Sequence, residues 1–136
     1  MQTLLNTPHE IIQQNILGAA AKAKTRILNI LVLGMMAGSF IAMGAQSSSL
    51  AVHNISNVGL ARTLAGCVFP VGLMMIVFVG GELFTGDCMM SMAWMQRKIH
   101  FADMLRTLVL VYVSNFVGAA MIAFLVAHSG QYDYSS

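Results

Sequence analysis

The chain has 136 residues, of which 57% are hydrophobic and only 9% charged, and its formal net charge is +2. Soluble domains carry about 25% charged residues, so this composition excludes an ordinary soluble domain as well as a disordered chain. The small positive balance excludes a nucleic-acid binder, which needs a dense basic face. A mean hydropathy of +0.75 leaves an all-α integral membrane protein, with room for three or four spans of roughly 20 residues each.

Residues 7–24 predict an amphipathic helix. Thr7, Pro8 and Glu10 supply an N-cap, a first-turn proline and an acid three positions after the cap. Ile11, Ile12, Ile16 and Ala19 share a face. The segment is too polar to span, so it is expected along the membrane surface or against the bundle. Span 1 is expected over 27–45. Its Gly34-x3-Gly38 pair reads either as a close-packing stripe or as glycines simply tolerated in a membrane helix. The polar stretch 46–57 reads as a loop.

The segment 63–95 is apolar and 33 residues long. A straight helix of that length reaches ~50 Å, against a hydrocarbon core of ~30 Å. It is interrupted by Gly80-Gly81-Glu82-Leu83-Phe84-Thr85-Gly86-Asp87. A helix over 63–79, an irregular loop over 80–87 and a half-helix over 87–95 are therefore predicted. Span 3 is expected over 105–128, with Ser114 and Asn115 in its interior, and the whole chain is read as one membrane domain. Three basic residues precede span 1 (Lys22, Lys24, Arg26) and three lie in the second loop region (Arg97, Lys98, Arg106). Only Arg62 lies in the first loop, and this six-to-one bias places the N-terminus in the cytoplasm and residue 136 outside.

Irregular backbone at membrane depth must be buried in protein or line a polar path. The loop offers the Thr85 hydroxyl, free amides and the start of a half-helix, the parts of a small-solute filter. A glycine kink sealed by neighbouring helices is the alternative. Glu82 is expected to accept backbone amides and hold the loop's shape, with Asp87 capping the half-helix. Cys67 and Cys88 read as buried apolar residues, and His9, His53, His100 and His128 as surface groups. No metal-ligand spacing, nucleophile–base pair or phosphate loop is present, so neither an enzyme nor a cofactor is expected.

Glu82-Leu83-Phe84-Thr85-Gly86 after a glycine pair resembles the signature loop of the formate/nitrite transporter family. Gly66-x-x-Phe69-x-x-Gly72-Leu73 resembles that family's second helix, and Ser114-Asn115-Phe116-Val117-Gly118-Ala119 its third-helix segment, with Ser114 in place of the usual glycine. The resemblance implies half of an aquaporin-like channel of six spans, built from inverted three-span repeats and assembled as a homopentamer in a membrane such as the bacterial inner membrane. It implies a pathway for formate, nitrite or hydrosulfide, with Thr85 at the central site, Leu83 at the cytoplasmic constriction and Phe84 also along the pathway. Phe69 and Leu73 would line the apolar neck and Asn115 would order the broken helix. Gly80, Gly81, Glu82, Gly86 and Asp87 would shape the loop, Asp87 standing where asparagine is usual. The family's pore histidine has no counterpart here, so a C-terminal half is expected to supply it. The chain is then expected to be part of a longer protein, and Gln131-Tyr132-Asp133-Tyr134 resembles the start of an outer connection. The alternative is a non-conducting membrane scaffold or assembly factor that keeps only the first repeat.

Overall fold

A computed structural model of the chain describes residues 6–130; the expected outer connection from Gln131 onward lies outside them. The described chain contains α1 (Pro8–Lys22), α2 (Ile27–Val52), α3 (Val58–Val68), α4 (Pro70–Val79), α5 (Phe84–Asp87), α6 (Met90–Met95) and α7 (Phe101–His128). Among the described residues, three stretches are long and apolar enough to cross a membrane: Ile27–Val52, Val58–Val79 and Phe101–His128. The protein is an all-α integral membrane protein.

The capping box at α1 is complete. Glu10 N–H donates to the Thr7 hydroxyl, and Thr7 N–H donates to the Glu10 carboxylate at 2.6 Å. These bonds hold the Glu10 carboxyl below the ordinary carboxylate range. The buried face of α1 is narrower than its pattern predicts. Ile16 and Ala19 pack with Met90, Ala93 and Met104, while Ile11 and Ile12 stay exposed.

The first long helix passes Ala45, the predicted end of span 1, and runs to Val52. Its last turns carry Ser47, Ser48 and Ser49, which read as loop in sequence. Tertiary contact overrides that preference: the Ser48 hydroxyl donates to Ala65 O of α3 at 3.1 Å. The next helix starts at Val58, ahead of the predicted Thr63, because Asn57 caps it by accepting from Leu60 N–H at 3.1 Å. Pro70 then divides α3 from α4, since a proline nitrogen has no hydrogen to donate. The last long helix begins at Phe101 rather than Leu105.

Packing between α2 and α7 is backbone against backbone. A Cβ on Gly38 would lie 2.0 Å from Asn115 O, and one on Gly118 2.0 Å from Met35 O. Ser39 ties the same contact by donating to Gly118 O at 3.2 Å. Of the two readings of the Gly34-x3-Gly38 pair, close packing is the one the structure adopts. The second approach, α2 on α4, uses Gly44 and Gly72; a Cβ on Gly72 would lie 2.6 Å from Phe40 O.

Cys67 and Cys88, expected to be buried, are both exposed. An apolar side chain in a membrane protein has no need of the protein interior, because lipid is an equally apolar neighbour. The same reason accounts for the exposed Phe78, Val77 and Phe116 on the spanning helices.

Candidate functional site

Helix α4 stops at Gly80, which takes the left-handed conformation with φ 71°. Gly81 N–H donates back to Ile76 O at 2.9 Å, a glycine-type helix stop. A Cβ on Gly81 would meet Ile76 Cγ2 at 3.2 Å and Ala37 Cβ at 3.3 Å. One glycine therefore turns the chain and the next lets it pass close to α2.

Residues Gly81–Leu83 then run outside any helix until α5 begins at Phe84. Their backbone groups find partners on two other helices. Glu82 N–H donates to Leu33 O of α2 at 3.4 Å. From α7, the Asn115 amide donates to Glu82 O at 2.9 Å and to Gly34 O at 2.8 Å. The Asn115 oxygen accepts from Phe84 N–H at 3.0 Å. One carboxamide thus joins α2, the loop and α7, using both kinds of hydrogen-bonding atom a carboxamide has. Phe84 also packs edge-on against Tyr112 of α7, with ring centroids 5.4 Å apart.

The two acids do not play the predicted parts. Asp87 ends α5 and caps nothing; the N-cap of α5 is Leu83, with no side-chain bond. Among the described residues the carboxylate of Glu82 accepts no backbone amide. Both carboxylates instead face Lys22 in the last turn of α1, with Lys22 Nζ donating to Glu82 Oε2 and, at 2.7 Å, to Asp87 Oδ1. Burial opposes the Lys22 charge, but the two carboxylates outweigh it and hold the ammonium above the ordinary lysine range. Asp87 is buried, and its Oδ2 has no hydrogen-bond partner among the described residues. Ionised, the cluster carries two negative charges against one positive.

Lys22 lies 60 residues from Glu82 and 65 from Asp87, and in the sequence it stands only as one of the basic residues that set membrane orientation. The available signal was two acids inside an apolar run, which require a cation from elsewhere. The four histidines are exposed, as expected of surface groups.

Thr85 is exposed, and its hydroxyl makes no hydrogen bond among the described residues. Leu83 and Phe84 are half-buried beside it in sequence, and Gly86 is half-buried. Phe69 and Leu73 are exposed at the α3–α4 break. The arrangement presents an uncommitted hydroxyl on the short helix α5, directly after an irregular segment that Asn115 pins to α2 and α7.

A family model described as formate/nitrite transporter matches residues 9–136. The formate channel BtFdhC of Bacillus thuringiensis is 36% identical over 126 residues, covering 90% of this chain and 49% of the relative. The formate channel FocA of Haemophilus influenzae is 32% identical over 115 residues, covering 83% of this chain and 40% of its own length. A solved structure titled FNT family ion channel superposes with a TM-score of 0.81 at 23% identity, over 90% of this chain and 50% of that one. The chain thus spans half or less of the length of these relatives.

Proposed function

Because the chain belongs to the formate/nitrite transporter family, we propose that it forms part of a channel for small monovalent anions, formate, nitrite or hydrosulfide. The observation that carries this reading is the break in the second span, where irregular backbone over 81–83 leads into the short helix α5. Asn115 pins the break, and among the described residues the Thr85 hydroxyl is free. A sealed glycine kink has no need of an uncommitted polar group.

In this reading Thr85 hydrogen-bonds the passing anion. The apolar neck at Phe69 and Leu73 opposes a bare charge by several kcal/mol or more, on the order of the cost of an unpaired ion in a bundle. Passage as the neutral weak acid removes that cost, and a histidine opposite Thr85 suits the proton transfer because it titrates near neutral pH. That histidine belongs to a second three-span unit, which completes the protomer, and protomers assemble as a homopentamer. The basic end of the bundle faces the cytoplasm. The role is passive conduction, with no catalysed reaction.

The test is anion flux in proteoliposomes containing the complete protomer. Formate, nitrite or hydrosulfide should cross, and Thr85→Ala should change conductance or selectivity more than Cys88→Ala. Absence of flux for all of them from a correctly assembled protein, or equal and negligible effects of the two substitutions, refutes the reading.

A further inference from the structure

The turn between α6 and α7 carries a feature that anion passage does not use. Arg97 N–H donates to Trp94 O at 2.8 Å and Lys98 N–H donates to Ala93 O at 2.9 Å. This is the same type of helix stop that ends α4, in which the residue after the cap turns left-handed. At Gly80 that residue is a glycine. Here it is Arg97, at φ 57°, and among the described residues it is the one non-glycine with positive φ. Glycine adopts this conformation freely, whereas a residue with a Cβ is strained there. A strained backbone that retains a long cationic side chain points to a use for that side chain.

The surroundings say what the use is. Trp94, Arg97, Lys98, Ile99, His100 and Phe101 line an open cleft of ≈ 320 Å³. The Trp94 and Phe101 rings stand 5.5 Å apart, tilted by 57°. Neither Arg97 nor Lys98 has a side-chain partner among the described residues, and no carboxylate lines the cleft. Its depth follows from α7, which has 28 residues and a length of ~42 Å against a hydrocarbon core of ~30 Å. The start of α7 therefore reaches the headgroup layer, where aromatic rings and cations collect at membrane surfaces.

We propose that this cleft binds the phosphate of an anionic phospholipid headgroup. The Arg97 guanidinium and the Lys98 ammonium take the phosphate oxygens, the first as a planar fork and the second as a point charge. Trp94 and Phe101 receive the glycerol and the top of an acyl chain. A zwitterionic headgroup brings its own ammonium into a cleft that already holds two cations, so it binds less well. Free phosphate brings the charge without the apolar part that rests on the rings.

Trp94 is the one tryptophan of these 136 residues and reports on its own site once any tryptophan of the completing unit is replaced by phenylalanine. The experiment uses the protein reconstituted in phosphatidylcholine vesicles with a small fraction of brominated phosphatidylglycerol or brominated phosphatidylcholine, reading the quenching of Trp94 fluorescence. Two cations at the surface should favour the anionic lipid roughly 30-fold. Arg97→Gly with Lys98→Gln should abolish the preference, while the melting temperature holds or rises because glycine relieves the turn. Arg97→Lys, which keeps the charge, should retain a reduced preference. Equal quenching by the two lipids overturns the proposal, as does a preference that survives in the double variant. Millimolar inorganic phosphate that removes the preference, where sodium chloride of equal ionic strength does not, assigns the cleft to a soluble anion and overturns the lipid.

Discussion

The Asn115 carboxamide is the test of what holds the loop. Asn115→Ala strands two loop groups, Glu82 O and Phe84 N–H, which the native side chain reaches at 2.9 and 3.0 Å. A buried backbone group left without a partner costs about 1–3 kcal/mol. Both groups lie in a part-buried region, so the low end applies to each, giving about 2 kcal/mol for the pair. Since every 1.4 kcal/mol is a factor of ten, local opening should rise roughly 30-fold. Amide hydrogen exchange over residues 80–88 reads this directly, with Phe84 N–H as the reporting site. Asn115→Asp should be as harmful at neutral pH, because it keeps an acceptor for Phe84 but has no hydrogen for Gly34 O or Glu82 O. Ser114→Ala is the control, since Ser114 donates only within its own helix, to Leu110 O at 2.8 Å and Val111 O at 3.1 Å. Exchange at Phe84 that stays within about twofold of native in Asn115→Ala would refute the reasoning.

Gly38→Ala places a methyl 2.0 Å from Asn115 O, so α2 and α7 must part by about 1 Å; overpacking of this kind costs about 1–3 kcal/mol, read as a fall in melting temperature in detergent. Gly18→Ala meets nothing within 4 Å and should instead stabilise α1 by up to about 1 kcal/mol. Lys22→Met leaves two carboxylates facing each other. The loss, discounted because the lysine side chain is 39% exposed, is about 1–2 kcal/mol, seen as faster exchange in α1 and the loop, and adding Asp87→Asn should recover most of it. The lowered Glu10 value means that its cap contributes above the ordinary carboxylate value and is lost as pH falls through the lowered one. Exchange in the first turn of α1 should therefore rise on acidification toward pH 3, and Glu10→Gln should flatten that dependence.

The broken second span was legible because three glycines and two acids cannot continue an apolar helix. The partners of the break were harder to see. Asn115 stood out as a polar residue inside an apolar span, and it binds the loop. Lys22 did not, because one basic residue among three near a helix end carries no sign of a contact 60 residues away. The sequence around the acids suggests local tasks, capping and amide binding, but a distant cation satisfies them better. Helix ends depart from the local sequence preference where tertiary bonds override it, as with Ser48 on Ala65. Pro70 was readable as a break in principle, yet it sits inside a continuous apolar run whose periodicity hides it.

The loop's partners also set an order of events during synthesis. Glu82 O and Phe84 N–H leave the ribosome 33 and 31 residues ahead of the side chain that satisfies them. Until α7 has entered the bilayer beside α2, these groups have only water or one another. The second span must then wait near an aqueous surface or at the insertion machinery, and it can settle at full depth only when the third arrives. Insertion of the two spans is thereby coupled, and a chain halted before Asn115 should leave its broken helix accessible to water-soluble reagents at Cys88.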